Sequence, residues 1–405
     1  MELSGRLDQE GKGGLASQLR ECVSLNSQRL WHQLSLLLEP LLKERDLAAH
    51  VMAIHESFID SFAEDLNQIR FVQMSVLIAL HAQPRPSDAQ RIDFLKGISE
   101  RPHVAADKPA QVLAKSLYAS ALLHSRALAS ASASPAASSS TAVSDDVSSE
   151  ALAEVKQLIG ELSKQHGKLR GAPKCVDAAY YRLLSEYHLG SGPAEAFLEN
   201  GLMYLAHQEL DEIPRQERHA LATDLCLASL CGDKTYNFGE LLSHSILDVL
   251  TGTADAWLVA FLDAFNRGDI AAYNQIARES EPQLLSHPSL LKNRQLLRRK
   301  IQILGLMELI FKRDRDHRVL SFSEVAAAAE LPVDQVEHLI IKALSLKLVK
   351  GSIDQVEGKV AITWVQPRVL TLDQISSMKG RLDDWTCIVS QTLVTLESQS
   401  QDIVN

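Results

Sequence analysis

From Leu297 to Val369 the spacing of apolar residues changes character twice, and each change marks an element. Ile301, Leu304, Met307, Ile310 and Phe311 recur at three- and four-residue steps, the period of a helix with one buried face. Ser321 and Glu324 stand at the spacing of a capping box, so a second, alanine-rich helix is expected to start there. Pro332 closes it and opens a third helix, whose inner face is Val336, Leu339, Ile340, Ala343 and Leu344. The period then falls to two: Val360, Ile362 and Trp364 alternate with Ala361, Thr363 and Val365, and Gly358 supplies a turn back to Leu348–Ile353. Three helices and a two-stranded hairpin in this order predict a winged helix over residues 291–369.

Upstream the pattern is helical throughout. Leu30, Leu34, Leu37, Leu38, Leu41 and Leu42 form one apolar face, and Val51, Ile54, Phe58, Ile59 and Phe62 another. Pro84 and Pro86 break the run, a short helix is expected over Asp88–Glu100, and Val112, Leu113, Leu117, Leu122 and Leu123 restart the pattern after Pro109. Residues 127–149 are low-complexity: 16 of 23 are Ser or Ala, Pro135 interrupts them, and serines compete for backbone hydrogen bonds, so a disordered loop is expected. Residues 1–14, with four glycines, are expected to form a disordered tail. Beyond residue 150, Gly190, Gly232 and Gly268 punctuate the helices at intervals of 42 and 36 residues, close to a two-helix repeat. Tyr180, Tyr181, Tyr187, Tyr204, Phe238, Trp257, Phe261 and Phe265 read as inter-helix core. The expected fold is an all-α solenoid, a curved right-handed array of helix pairs over 15–190 and beyond, followed by the winged helix, its small β-hairpin wing and a C-terminal helix.

That last helix, over 371–405, has its own signature. Thr371 and Gln374 fit a capping box after Pro367, and Ile375, Met378, Leu382, Trp385, Val389, Thr392 and Leu396 alternate steps of three and four. An average of 3.5 is the seam of a bundle, which Ile388 and Leu393 widen; a helix folded back on its own domain is the alternative.

Composition narrows the function. The chain has 405 residues and a net charge of −10, which argues against general affinity for nucleic acid or anionic membrane. Five scattered cysteines fit reduced thiols in the cytoplasm or nucleus, and no signal segment or membrane-length apolar run is present in the sequence. Between Ser321 and Leu348 the net charge is −2, so a phosphate backbone would be repelled by the would-be reading helix. The search for chemistry yields no zinc-protease spacing among the histidines, no CxxC, and no phosphate loop among the early glycines. His50, His55 and Glu56 read as solvated face residues, and Cys226 and Cys231 as buried thiols. Catalytic, cofactor-binding and metal-ligating residues are therefore none. The basic cluster Lys292, Arg294, Arg298, Arg299 and Lys300, continued by Lys312, Arg313, Arg315 and Arg318, reads first as a solvated face, second as a contact for an acidic neighbour, third as an RNA surface.

The stretches TYNFGELLSH, LLRRKIQILGLMELIF, LVKGSIDQVEGKV and TWVQPRVL resemble the PCI-domain family, whose members are lid subunits of the proteasome, the signalosome and a translation initiation factor. The likeness is greatest to a lid subunit of the proteasome regulatory particle. It implies a PCI domain over 191–369 (helical part 191–290, winged helix 291–369) and a non-catalytic scaffold, a hetero-oligomer with other PCI and lid subunits that supports ATP-dependent degradation of ubiquitinated proteins. PCI subunits of the signalosome or the initiation factor, and a winged-helix nucleic-acid binder, are the alternatives. Because PCI domains pack side by side, an exposed edge of the wing at Ala361, Thr363 and Trp364, with Trp364 packed beneath it, is the expected neighbour contact, and the seam residues Ile375, Met378, Leu382, Trp385, Val389 and Leu396 the expected bundle contact.

Overall fold

Helix follows helix from Gly13 onward in the computed structural model, which describes residues 13–399 except 45–46, 49, 83–86, 133–141, 170, 312, 314–317 and 368–371. In order they are α1 (Gly13–Ser27), α2 (Trp31–Lys43), α3 (Val51–Ser57), α4 (Gln68–His81), α5 (Asp88–Ser99), α6 (Pro102–Ala106), α7 (Lys108–Ser132), α8 (Ala142–His166), α9 (Lys174–Ser191), α10 (Ala194–His207), α11 (Arg215–Cys231), α12 (Gly239–Leu242), α13 (Ala256–Arg267), α14 (Ile270–Glu279), α15 (Glu281–Ser286), α16 (Pro288–Lys292) and α17 (Arg294–Phe311). Then come β1 (Val319–Ser321), α18 (Phe322–Ala329), α19 (Val333–Ser345), β2 (Val349–Asp354), β3 (Lys359–Val365) and α20 (Leu372–Gln399). The chain divides into two compact units, Met1–Glu212 and Ile213–Asn405.

The first unit is built on the leucine faces read from the sequence. Leu34, Leu38, Val51, Ile59, Phe71, Ile78, Val112, Leu162, Val176 and Leu183 share one core. Trp31 stacks on Phe62 at 5.7 Å, and Asn67 and Ser87 cap α4 and α5 with their side chains. The Ala/Ser segment departs from expectation at both ends: α7 runs on to Ser132 and α8 begins at Ala142, because alanine's helix preference carries two already nucleated helices into it. Residues 133–141 of that segment lie outside the described residues, as do residues 1–12 of the tail; Gly13 and Gly14 already belong to α1.

In the second unit an aromatic core joins the helices ahead of the winged helix. Phe261 lies 5.3 Å from Phe265, Phe265 lies 5.8 Å from Phe238, and Tyr273 from α14 closes on Phe261 at 5.2 Å. Of the eight large aromatics assigned to core, Tyr181 and Tyr187 are half-buried and the other six buried. Gly268 ends α13 at φ +67, and a β-carbon there would come within 2.8 Å of the Leu304 backbone in α17. Only glycine lets the α13–α14 corner sit this close to that helix.

The winged helix forms as read, with one addition. Its sheet has three strands in the order β1-β3-β2, all antiparallel, so the wing hairpin gains a strand from the segment before α18. Ser321 ends β1 and also caps α18, accepting from the Glu324 amide at 3.3 Å while the Glu324 carboxylate accepts from the Ser321 amide at 3.0 Å.

Candidate interaction surfaces

The third helix of the winged helix, α19, buries Val336, Leu339, Ile340 and Ala343 against its own domain. Its outer side carries Asp334, Gln335, His338, Ile341 and Lys342 exposed, an acidic first turn with an isoleucine behind it. That face offers a phosphate backbone little attraction. The wing tip is fixed to the same helix: the Asp354 carboxylate accepts from the Val356 and Glu357 amides at 3.0 and 3.1 Å, and the Gln355 amide donates to Glu337 at 3.3 Å.

The wing itself corrects the expectation of an exposed edge at Ala361. β3 is the central strand, with Ala361 paired to Val319 on one side and Ser352 on the other. The Ile362 amide donates to the Arg318 carbonyl on the β1 side at 3.0 Å, so by strand alternation the Ala361 amide turns to β2. A bulge between Lys350 and Gly351 then sets Thr363 where its hydroxyl donates to the Lys350 carbonyl at 3.1 Å. Trp364 is not packed beneath the sheet. It is exposed, with the Lys350 ammonium 4.9 Å from its ring centre. The surface the wing offers is thus Thr363 and Trp364, with Ala361 half-buried inside the ladder.

The terminal helix α20 stands clear of its own domain. Every described side chain in it is exposed, among them Ile375, Met378, Leu382, Trp385 at 64%, Val389 and Leu396, and also Ile388 and Leu393. A helix folded back on its own domain would bury part of this seam, and none of its described side chains is buried. Thr371, half of the capping box, lies outside the described residues, while the helix begins at Leu372 as the spacing required. With Val394, nine large apolar side chains stand exposed on this one 28-residue helix, more than scattered surface apolar residues account for.

The basic cluster splits. Lys300, read as part of a solvated face, is 1% exposed: its ammonium donates to the Ser229 and Leu230 carbonyls at 2.9 and 3.0 Å and sits over the Tyr236 and Phe238 rings. The reason is helical phase, because Leu297, Lys300, Ile301 and Leu304 occupy one side of α17. Arg313 pairs with Glu324 at 2.9 Å. Lys292, Arg294, Arg298 and Arg299 are exposed; Lys312 and Arg315 lie outside the described residues.

A second correction concerns His55. It is 1% exposed rather than solvated: Nε2 lies 3.2 Å from the Ser75 hydroxyl and Nδ1 3.6 Å from Asp60. A serine, a histidine and an aspartate in that order invite a nucleophile reading. The geometry refuses it. Ser75 is fully buried and its hydroxyl donates to the Phe71 carbonyl at 2.9 Å, while Arg101 holds Asp60 through two bonds at 2.6 and 3.2 Å. Burial holds the His55 pKa below its ordinary value; the neighbouring Asp60 pulls upward, but that carboxylate is already committed to Arg101, whose own charge opposes His55 protonation. The contact is invisible in sequence because Ser75 sits twenty positions away on another helix. Among the cysteines, burial pushes Cys22 up to about 11 and Cys226 up to about 12, so neither is a thiolate at neutral pH. Cys231 is half-buried, not buried as expected. No group of three or more metal-ligating side chains occurs among the described residues, and no described helix is long and apolar enough to cross a membrane.

Comparison with known proteins adds independent findings. Residues 18–262 match the family model described as PSD13 N-terminal repeats, and residues 271–364 match the PCI domain. The 26S proteasome non-ATPase regulatory subunit 13 of Dictyostelium discoideum is 33% identical over 396 residues, covering 96% of this chain and 95% of that protein. The 26S proteasome regulatory subunit RPN9 of Saccharomyces cerevisiae is 30% identical over 378 residues, covering 93% and 91%. Subunit M of eukaryotic translation initiation factor 3 from Aspergillus fumigatus is 24% identical over 217 residues, covering 51% of this chain and 46% of that protein.

Proposed function

The chain belongs to the family of 26S proteasome non-ATPase regulatory subunit 13, and from that membership we propose that it is a non-catalytic structural subunit of the lid of the proteasome regulatory particle. It supports assembly, and through assembly the ATP-dependent degradation of ubiquitinated proteins, in cytoplasm and nucleus. The observation that carries this reading is α20, a helix with a 3.5-residue apolar seam exposed along its described length. Such a helix is stable as part of a bundle, and the matching relatives are subunits of a multi-protein complex.

We read residues 15–190 as the repeat region, 191–369 as the PCI domain and 371–405 as the bundle helix. Ile375, Met378, Leu382, Trp385, Val389 and Leu396 are its seam, and Thr363 with Trp364 is the part of the wing that meets a neighbouring PCI subunit. The initiation-factor alternative is disfavoured by a likeness that spans half the chain against nearly all of it for the proteasome subunits. Nucleic-acid binding is disfavoured by the acidic start of α19. An affinity-tagged copy expressed in cells tests the proposal: on native gels it is expected to migrate with proteasome peptidase activity, and migration as a free monomer would contradict it.

A further inference from the structure

Lys292, Arg294, Arg298 and Arg299 form an exposed basic surface at the start of α17, and none of them makes an ion pair among the described residues. Elsewhere the chain neutralises helical arginines locally, as with Arg182 and Glu186 or Arg267 and Asp263, each at i,i+4. Here the i,i+4 pair is Arg294 with Arg298, both positive. No acidic residue occupies the first turn of this 18-residue helix, whose end is itself positive. Like charge against like charge and against the dipole opposes the start of α17, and no acidic side chain in its first turn offsets it.

The surface extends beyond one helix. α14 packs against α17, and burial raises the pKa of its Tyr273 hydroxyl while the Arg294 and Arg298 charges lower it against that trend. Guanidinium groups in this density take carboxylates through paired hydrogen bonds. Single-stranded RNA would also want exposed rings for base stacking, and Tyr273, the aromatic beside these arginines, is buried. A long polyanion would in addition meet a chain of net charge −10, whereas a short acidic segment need only span the patch.

We infer that Lys292, Arg294, Arg298 and Arg299 dock an acidic segment, rich in Asp and Glu, of a neighbouring protein subunit. The inference rests on the reading of the chain as an assembly subunit and adds the chemistry of one contact.

The test uses the full-length chain carrying Arg294→Gln, Arg298→Gln and Arg299→Gln together. Three quantities are measured: the melting temperature of the purified protein, its incorporation into the proteasome in cells, and the anisotropy of labelled poly-glutamate and labelled single-stranded RNA. The expected result is an unchanged or higher Tm, because repulsion at the helix start is relieved, with incorporation and poly-glutamate affinity falling about tenfold. Poly-glutamate binding by the unaltered chain is expected to weaken with added salt. Loss of Tm in step with incorporation would make the arginines structural and overturn the inference. Unchanged incorporation would overturn it as well, as would preferential binding of the RNA. If the unaltered chain never enters the proteasome, the assembly reading fails, and poly-glutamate binding that survives the substitutions would overturn the patch separately.

Discussion

Lys300 shows how a single residue can change meaning between sequence and structure. In the string RRK it looks like one more surface charge, yet its phase on α17 turns it inward, where its ammonium satisfies two carbonyls at the C-terminal end of α11. Those carbonyls have no intrahelical donors, so the lysine caps one helix from another. Lys300→Met keeps the length and removes the donors; it is expected to cost about 2 to 4 kcal/mol, seen as a lower Tm in thermal melts. A Tm within error of the parent would show that the capping is not needed. His55 yields a pH prediction. Because its folded pKa is lowered, the unfolded chain binds the proton more tightly, and stability falls as pH drops from about 6.5 toward the folded value. His103, His188 and His244 are shifted the same way by burial and add to the slope. Asp60 acts in a separate, more acidic window: burial raises its pKa but the Arg101 hydrogen bond and nearby charges lower it overall, so its contribution is lost only as pH falls below about 3.8. Melts at about pH 7.5 and about pH 5.5 should show a lower Tm in acid, and His55→Gln should flatten that difference; an unchanged slope would remove His55 from the account.

At the scale of elements, periodicity was legible where the elements are long. The faces of α2, α17 and α19 follow the apolar spacing except at their margins, where Leu30 and Phe311 are exposed and Leu37 and Leu344 half-buried, and the Ser321–Glu324 capping box is present with both its bonds. What could not be read is pairing. Val319–Ser321 is three residues long and carries no alternation of its own; it is a strand because β3 lies beside it, and that neighbour moves β3 from the edge to the centre of the sheet. Ala361→Pro would therefore remove a donor of the domain's own ladder and lower its stability, so it cannot serve as an interface probe. Gly268 is a sharper probe of packing. With φ at +67 and the Leu304 backbone 2.8 Å from any β-carbon, Gly268→Ala is expected to cost about 2 kcal/mol or more, and a neutral effect on Tm would contradict the close approach of α13 and α17. In α20 the expectation reverses. Leu382→Ala and Trp385→Ala should leave the Tm of the isolated chain unchanged within about 0.5 kcal/mol, since both side chains are exposed there, yet weaken its association with partner subunits by roughly 2 kcal/mol or more each. Equal losses of stability and association would mean that the seam packs inside the chain.

For the whole molecule, the helical array, the winged helix and the terminal helix all carry local signals: caps, breakers, and periods of 3.6, 2.0 and 3.5. The candidate surfaces were less legible because a surface is defined by what does not pack, which spacing alone cannot say of Trp364, His55 or Lys300. Exposure supplied that for α20. On the proposed function, residues up to the wing fold by themselves and the last helix packs its exposed apolar seam into other subunits. Deleting residues 373–405 tests this directly, with the purified product melted in isolation and its entry into the proteasome followed in cells. A protein that melts cooperatively at the parent temperature and fails to assemble is the predicted result; normal assembly, or a chain that no longer folds, would contradict it.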